Sequence, residues 1–402
     1  MRIRSSGERA AVSGERITML LENNPYPQDS RVRLEAESLV AAGHSVEVIA
    51  PRGRGQPARE RVNGVEVSRF RGFTSTRPGP LPLMLEYLVA WVALHRAALS
   101  SLLRGSTVLH LHNPPDFLFG AGALFRLARR SVIFDHHDLG PELVEAKFGP
   151  GPLVRVAQLS ERLTFAVATH VLAANESHAE LARERGHMRP EQVTVVRNGP
   201  PQEWTKLPVQ TRAGSLSQPH LVYVGSVAEQ DGVDGIAEIV ALLKRRSPAV
   251  EAHLTVVGDG DARALLEAAL AQWGVSEQVT ITGWVAPERV RAMIQEADIC
   301  VDPAPATALN QRSTMIKLTE YLALGKPTVA YDLLETRRTV AAAARLVQPG
   351  DASAFADAIA ALAEDSDQRA ELSQRAHERG RELTWDRSEQ ALLATYAAIS
   401  RP

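Results

Sequence analysis

Residues 310–338 read NQRSTMIKLTEYLALGKPTVAYDLLETRR, and this stretch decides how the rest of the 402-residue chain is interpreted. Apolar residues recur in it at helical spacing and predict a helix that Gly325 ends. Those apolar residues are Ile316, Leu318, Leu322 and Leu324. The polar run at 310–314 is expected to supply the N-cap. Residues 328–331 then predict a strand, so the stretch forms one α/β unit.

The start of this predicted helix suits a phosphate, because free N–H groups and the positive end of the helix dipole meet there. Lys317 and Glu320 are three residues apart and share one helix face. A lysine for phosphate and a carboxylate for sugar hydroxyls together indicate a nucleotide-sugar. The alternative is an ordinary amphipathic helix whose Lys317 and Glu320 lie in water.

Length and charge limit the classes of protein. A chain of 402 residues predicts two or three domains, and its formal net charge of -2 gives no indication of nucleic acid as a partner. The single cysteine, Cys300, lies in an apolar run, which excludes a disulfide framework and favours the cytoplasm. No signal peptide is recognisable, and residues 1–15 are expected to form a disordered tail.

The pattern of strands and helices predicts an α/β fold with parallel sheets. Two halves of similar length each repeat the β/α alternation, which predicts two facing, doubly wound, Rossmann-like domains. We expect the first domain at 16–204 and the second at 220–385, joined by a polar linker at 205–219. A C-terminal helix at 386–402 is expected to return to the first domain.

The most apolar window spans Leu81 to Leu103 but contains Glu86, His95 and Arg96. Its uninterrupted apolar part is shorter than the roughly 20 residues that a membrane span needs. A buried or interfacial helix is therefore favoured over a transmembrane one. An exposed apolar face on this helix suggests peripheral contact with the inner face of a membrane.

Histidines and aspartates cluster after two predicted strands and raise the alternative of a metal site. The ligand-type residues are His110, His112, Asp135, His136, His137 and Asp138. Adjacent strand residues point to opposite faces, so His136 and His137 cannot easily share an ion. We therefore predict that no metal is bound.

Nine segments, in order, are similar to segments of the retaining GT-B glycosyltransferases of family 4. Their order and spacing from residue 16 onward make the resemblance specific. The segments are DSRVRLEAESLVAAGHSVEVIAP (29–51), HLHNPPDFL (110–118), FDHHDLGPEL (134–143), VTVVRNGP (193–200), YVGSVAEQDGVDGI (223–236), LTVVGDGD (254–261), VTITGWV (279–285), EADICVDPAP (296–305) and EYLALGKPTVAYD (320–332).

The resemblance implies a GT-B fold and a hexosyltransferase-like enzyme of the exopolysaccharide or O-antigen type. Such an enzyme moves a sugar from a nucleoside diphosphate to a hydroxyl of a glycan, a lipid-linked sugar or a small molecule. It retains the anomeric configuration and needs no cofactor or metal. A leaving phosphate oxygen takes the acceptor proton, so no strong protein base is required. The oligomeric state does not follow from the resemblance.

The resemblance also implies roles for individual residues. His137 would be catalytic and lie near the anomeric carbon of the donor, and Glu320 would bind the ribose. Ser313, Thr314 and the following backbone would hold the distal phosphate, and the segment 283–285 would line the base. The donor-binding set is Gly225, Ser226, Gly258, Gly283, Trp284, Val285, Arg312, Ser313, Thr314, Met315, Ile316 and Glu320. The acceptor-side set is Asp29, Arg31, His112, Asn113, Asp138 and Asn198.

Two departures from the family pattern concern charge. The first glutamate of the family's Glu-x7-Glu pattern is replaced by Arg312, so the identity of the transferred sugar does not carry over. The loop at 226–232 lacks the basic residues that usually hold the diphosphate. Lys317, with Arg312, is the basic candidate near the helix start, and we predict that Lys317 is catalytic.

Two alternative functions share these features. A sugar-nucleotide 2-epimerase has the same two-domain fold but converts its substrate without an acceptor. A non-catalytic partner would bind a nucleotide-sugar and turn nothing over, as the missing basic residues also allow.

Overall fold

The computed structural model describes residues 14–72, 80–246 and 250–399, and for residues 80–84 it describes the backbone alone. The tail predicted at 1–15 lies almost entirely outside these residues.

Eight strands form the first sheet. They are β1 (Arg16–Leu20), β2 (Ser45–Pro51), β3 (Arg59–Val62), β4 (Val65–Phe70), β5 (Val108–His112), β6 (Ser131–His136), β7 (His170–Ala173) and β8 (Val193–Val195). Their spatial order is β3-β4-β2-β1-β5-β6-β7-β8. Strand β3 is antiparallel to β4, whereas the pairs from β4 through β2, β1, β5 and β6 to β7 are parallel. All five residues of β5 are buried, as expected for a central parallel strand.

Six helices accompany this sheet. They are α1 (Ser30–Ala41), α2 (Pro80–Leu103), α3 (Phe119–Leu127), α4 (Gly140–Phe148), α5 (Pro152–Val167) and α6 (Glu176–Glu184). Helix α1 begins where predicted, because Asp29 Oδ1 accepts a hydrogen bond from the N–H of Val32 at 3.0 Å. Within the described ranges, no helix combines the length and the hydropathy needed to cross a membrane.

Six parallel strands form the second sheet. They are β9 (His220–Val224), β10 (His253–Val257), β11 (Val279–Ile281), β12 (Ile299–Asp302), β13 (Thr328–Tyr331) and β14 (Arg345–Val347). Their spatial order is β11-β10-β9-β12-β13-β14. The helices are α7 (Gly235–Arg245), α8 (Arg263–Trp273), α9 (Pro287–Glu296), α10 (Ile316–Ala323), α11 (Leu334–Val340), α12 (Ala352–Glu364), α13 (Ser366–Gly380) and α14 (Trp385–Ile399). Two Rossmann-like α/β sheets confirm the predicted fold class.

The stretch at 310–338 folds as predicted except at its start. Gly325 ends α10 with a left-handed φ of +64°, and β13 has the predicted bounds. The expected polar N-cap is wrong, because Met315 occupies that position and makes no side-chain cap. Ser313 Oγ instead donates to the carbonyl of Leu309. Among the described residues, no acceptor bonds the N–H groups of Thr314 and Met315, so the start of the helix stays open to an anion.

The chain divides into two compact units. The first contains residues 1–173, 181–194 and 391–402, and the second contains residues 174–180 and 195–390. The predicted linker lies in the second unit, where Leu216 N–H donates to the carbonyl of Ala363. The end of α14 lies in the first unit, where Tyr396 is fully buried.

Candidate functional site

In the second unit, the start of α10 and the ends of two strands bring one lysine and two aspartates together. Lys317 Nζ lies 3.4 Å from an oxygen of Asp302 and 3.8 Å from an oxygen of Asp231. It also donates to the Tyr223 hydroxyl at 3.1 Å and lies 4.2 Å from the centroid of that ring. Lys317, which is 7% exposed, therefore reaches the loop after β9 from a different element.

Two carboxylates fix the charge of Lys317. Burial lowers the pKa of this lysine, but Asp302, Tyr223 and Asp231 together outweigh burial and raise the net pKa. Burial also raises the pKa of Asp231, and Lys317 opposes that increase. The sequence suggested a lone cation, whereas the structure gives a charged lysine that is held and oriented by two aspartates.

Three glycines of the predicted donor set meet at the carboxyl ends of neighbouring strands. Gly225 N–H donates to the carbonyl of Val257 at 3.0 Å, and Gly258 pairs with Gly283 in an isolated bridge. A Cβ at Gly225 would lie 2.9 Å from Lys317 Cε, and one at Gly258 would lie 1.9 Å from the carbonyl oxygen of Gly225. Only glycine lets the lysine and the two strand ends pack this closely.

Glu320 lies one turn after Lys317 and is half-buried. Burial raises the pKa of Glu320 to about 7, and Lys317 moderates the increase. No hydrogen bond or ion pair joins its carboxylate to another described side chain. Glu320 is therefore a half-buried acceptor whose carboxylate is available to a ligand hydroxyl.

The predicted base-lining segment presents an aromatic side chain to solvent. Trp284 is 79% exposed, whereas Val285 packs partly against the core of the second unit. Ser226, on the neighbouring loop, is exposed and its carbonyl accepts a hydrogen bond from Tyr223 at 2.9 Å. An exposed tryptophan beside Gly283 offers a stacking surface for a planar ring.

The run from Arg312 to Ile316 is held by a residue that follows β7. Asn175 Nδ2 donates to the carbonyl of Arg312 at 2.9 Å and to Thr314 Oγ1 at 3.0 Å. The hydroxyls of Thr314 and Ser313 are thus already engaged, which leaves the main-chain N–H groups for an anion. The half-buried guanidinium of Arg312 makes no ion pair with a described residue.

In the first unit, Asp135 is the centre of a buried polar cluster. Arg31 donates to it through Nε at 2.8 Å and Nη2 at 2.6 Å. His112 Nδ1 and His137 Nδ1 each lie 2.9 Å from Asp135 Oδ2. Burial alone would raise the pKa of Asp135, but Arg31 and His137 hold it well below its usual range. Asp135 is therefore ionised and fixes both imidazoles.

His137 is the member of this cluster that reaches the surface, with 10% of its side chain exposed. Burial lowers the pKa of His137, but Asp135 outweighs burial and raises it to about 9. His137 is therefore an imidazolium at neutral pH. With Nδ1 held by Asp135, its Nε2–H is the group that remains to meet a ligand.

Asn113, predicted on the acceptor side, is fully buried and holds the turn that carries His137. Its Oδ1 accepts from the N–H groups of His137 and Asp138 at 2.9 and 3.1 Å. Its Nδ2 donates to the carbonyl of Asp138 at 2.7 Å and to Asp116 Oδ1 at 3.1 Å. With every polar atom engaged, Asn113 positions its neighbours and has no group left for an acceptor.

The other predicted acceptor-side residues have different surroundings. Asp29 caps α1, and this helix carries the buried Arg31 and Glu35. His112 is 1% exposed and stacks on His110 with ring centroids 4.2 Å apart. Asn198 lies in the second unit.

The four ligand-type side chains that come together include three of the set considered in the sequence and add Glu35. Atoms of Glu35, His110, His112 and Asp135 lie within 4.8 Å of one another. Arg31 already lies against both carboxylates, 3.2 Å from Glu35 and 2.6 Å from Asp135. A divalent ion there would lie beside a guanidinium that compensates the same charges. His136 points elsewhere, with Nε2 3.4 Å from Glu161.

The sequence did not pair Lys317 and His137 with the side chains that orient them, although Arg31 and Asp135 were named for other roles. Those side chains are Tyr223, Asp231 and Asp302 for Lys317, and Arg31 and Asp135 for His137. Asp302 is the last residue of β12 and Asp135 the next to last of β6, at the carboxyl ends of strands where ligand-binding groups collect. An acidic residue in the last two positions of such a strand was the signal available.

Two family models match the chain in succession. Residues 28–199 match the glycosyl transferase 4-like domain, and residues 218–365 match the glycosyl transferases group 1. Together they reach over most of the chain and include both groups of residues described above.

Curated relatives match part of the chain. The alpha-D-kanosaminyltransferase of Streptomyces kanamyceticus is 28% identical over 170 residues, which is 42% of this chain and 42% of that protein. The chain therefore matches about two fifths of the length of this relative. A D-inositol 3-phosphate glycosyltransferase of Nocardia farcinica is 28% identical over 189 residues, 45% of this chain and 41% of that protein.

Solved structures match almost the whole chain. The sucrose-phosphate synthase of Thermosynechococcus elongatus has a TM-score of 0.74 at 18% identity, covering 96% of this chain and 99% of that one. HepE of Anabaena, in complex with UDP, has a TM-score of 0.68 at 15% identity and covers 95% and 100%. These likenesses show that the fold is GT-B.

Proposed function

We propose that this chain, which carries two glycosyltransferase domains in a GT-B fold, transfers a sugar from a nucleoside diphosphate to a hydroxyl acceptor with retention. The observation that carries the proposal is the start of α10. An uncapped helix end, a charged lysine and an unpartnered glutamate lie there within one turn. Thermal shifts with a panel of nucleotide-sugars test it, because a bound donor stabilises the folded chain by mass action.

Each group at the start of α10 has a matching part on such a donor. The N–H groups of Thr314 and Met315 face the distal phosphate, and Lys317 stabilises the charge that grows on the leaving oxygen. Contacts of 3.4 and 3.8 Å with its aspartates exceed the length of about 2.9 Å of a tight charged hydrogen bond. With one proton on Tyr223 and one directed at Asp302, the ammonium keeps one proton for a phosphate. Glu320 accepts from the ribose, and Trp284 stacks on the base.

Glu320→Gln is expected to weaken nucleotide-sugar binding by about 1–3 kcal/mol, the range for a lost charged hydrogen bond. Because burial raises the pKa of Glu320 to about 7, wild-type affinity should rise as pH increases through neutrality and the carboxylate ionises. The variant should lose that rise. Calorimetry with an intact nucleotide-sugar measures the affinity and its pH dependence, since the diphosphate of that ligand does not titrate near neutrality.

Glu364→Gln, at the exposed end of α12, is the matched control and should bind like the wild type. Equal affinity and an unchanged pH profile in Glu320→Gln would remove Glu320 from the donor site.

His137, which the family resemblance puts near the anomeric carbon, is proposed to donate its Nε2–H to the transferred sugar. With a pKa of about 9 it is protonated at neutral pH and is not available as a base. The proton of the acceptor hydroxyl would then pass to the departing phosphate oxygen. The anomeric carbon loses its bond to that oxygen and gains one to the acceptor oxygen on the same face.

His137→Ala is expected to lower kcat by the equivalent of about 1.5–3 kcal/mol, as loss of a charged hydrogen bond would. Affinity for the free nucleoside diphosphate should stay near the wild-type value, because the sugar contact is absent from that ligand. Steady-state kinetics and calorimetry measure the two quantities. His253→Ala, at the exposed start of β10, is the histidine control. A normal kcat in His137→Ala would make His137 purely structural.

We propose a metal-independent reaction, because Arg31 and the His137 imidazolium compensate the buried carboxylates of the first unit and Lys317 serves the diphosphate. We place the reaction in the cytoplasm, in assembly of a polysaccharide or a related glycan. The acceptor class remains one of three: a glycan, a lipid-linked sugar or a small molecule. Product analysis with one acceptor of each class tests this.

A peripheral membrane contact is proposed for one face of α2. Val92, Leu99 and Leu103 are 42%, 44% and 80% exposed at helical spacing, and Arg96 and Arg104 lie nearby along the chain. Such a face suits an anionic bilayer. We expect flotation with anionic vesicles and loss of flotation in Val92→Ser/Leu99→Ser. If the variant floats equally well, the contact is not made by this face.

A further inference from the structure

An open apolar pocket of about 500 Å³ lies on the first unit and takes no part in the groups described above. Its described walls come from α2 and from the turn after β5. The lining residues are Leu85, Tyr87, Leu88, Trp91 and Phe117. Phe117 lies in the 3-10 turn Asp116–Leu118, which follows the carboxyl end of β5. The pocket therefore opens at the edge of the sheet where ligands bind in doubly wound folds.

The aromatic walls of this pocket are held in place. The rings of Tyr87 and Phe117 meet edge to face, with centroids 5.4 Å apart and planes at 70°. The ring centroids of Trp91 and His95 are 4.1 Å apart, and His95 Nδ1 lies 2.8 Å from the carbonyl oxygen of Trp91. Tyr87 and Trp91 are 37% and 39% exposed, so part of each side chain is accessible to a ligand.

Two carboxylates outside the lining lie near this pocket, because Glu86 is next to Tyr87 on α2 and Glu22 follows β1, which contacts α2. Both glutamates are half-buried. Burial raises the pKa of Glu22 to about 7, with a further contribution from Glu86. Burial also raises the pKa of Tyr87, and both carboxylates add to that increase, so the three groups are close. Among the described residues, no lysine, arginine or histidine pairs with Glu22 or Glu86.

We propose that this pocket binds an ammonium group carried by the acceptor. Aromatic faces attract a cation through their quadrupoles, and two unpaired carboxylates attract it through charge. A cation would also relieve the repulsion between Glu22 and Glu86, whereas an anionic headgroup would add to it. A neutral apolar guest would fill the volume and leave both carboxylates without a partner. Charge complementarity therefore selects an amine-bearing acceptor, which deepens the proposed function.

Choline and its neutral isostere 3,3-dimethylbutan-1-ol probe the pocket directly, because they differ in one charge and share a shape. We expect calorimetry or saturation-transfer NMR to show choline binding at least about tenfold more tightly. The preference should grow between about pH 6 and pH 8, as Glu22 ionises around its pKa of about 7.

Glu22→Gln/Glu86→Gln should lose the preference for choline and its pH dependence. The substitutions keep side-chain size and remove a repulsion, so the variant should melt no lower than the wild type. Glu66→Gln/Glu145→Gln, two exposed glutamates of the same unit, is the matched control and should keep the preference. Trp91→Leu should weaken choline binding while the isostere binds as before.

Equal affinity for choline and the isostere, or unchanged choline binding in Glu22→Gln/Glu86→Gln, would overturn the proposal. Both measurements are made without a donor. Failure of nucleotide-sugar binding would therefore overturn the proposed function but not the binding of ammonium groups in this pocket. Failure of choline binding would overturn the ammonium pocket but not the proposed function.

Discussion

Lys317→Met is expected to lower kcat/KM for sugar transfer at least about 100-fold, the scale of a lost electrostatic stabiliser of the transition state. Methionine keeps the apolar stem and the helix propensity but removes the ammonium. The loss should be larger in turnover than in donor binding, because charge on the leaving oxygen grows as its bond to the sugar breaks. Steady-state kinetics and calorimetry on the same preparation separate the two effects.

Loss of Lys317 also leaves Asp302, which is 1% exposed, without its cation. A fall in activity could then reflect local unfolding. Lys317→Met/Asp302→Asn removes both charges and should regain stability without regaining activity. Lys317→Met/Asp231→Lys should recover part of the activity, because Asp231 lies 3.8 Å from the lysine nitrogen and places a new ammonium in the same region. Near wild-type turnover in Lys317→Met would show that the diphosphate is held elsewhere.

Asp135→Asn is expected to lower the free energy of unfolding by about 3–5 kcal/mol, as when one partner of a buried ion pair is removed. Asp135 accepts hydrogen bonds from Arg31, His112 and His137, and the neutral amide cannot balance the guanidinium. Urea unfolding near neutral pH measures the loss. Turnover should fall too, because His137 loses the carboxylate that holds its Nδ1–H.

The control for Asp135→Asn is the same substitution at a surface pair. Asp332 pairs with Arg337, which is 61% exposed, so Asp332→Asn should cost under about 1 kcal/mol. In the wild type the contribution of Asp135 is complete above its ordinary pKa of 3.8 and is lost as pH falls toward its lower folded pKa. Equal losses in the two variants would show that the buried cluster contributes no more than a surface ion pair.

Local sequence patterns were enough to predict the fold class and the strand β13, but not elements such as β3 and α13. The bounds of β13 follow from a β-branched and aromatic run after Lys326-Pro327, and Gly325 adopts the positive φ that a helix end favours. The N-cap of α10 was mispredicted because Asn175 and Leu309 engage Thr314 and Ser313. Those partners are set by tertiary contacts, which a local pattern does not contain.

The candidate site was predictable in its residues but not in their charges. Lys317 and Tyr223 are 94 residues apart, and Tyr396 meets His110 across 286 residues. Such contacts follow from sheet order, so no local pattern in the sequence pairs Lys317 with Asp231. The protonated state of His137 likewise depends on Asp135, two positions away and fixed by Arg31.

The most direct test of the proposed function is NMR of the anomeric proton during reaction of a nucleotide-sugar with an acceptor, in buffer containing EDTA. For a retaining, metal-independent transfer we expect a product whose anomeric coupling matches that of the donor, formed only when the acceptor is present. Conversion of the donor without an acceptor would identify an epimerase, and binding without product would identify a non-catalytic partner. An inverted product would contradict retention, and a product formed only after metal is restored would contradict metal independence.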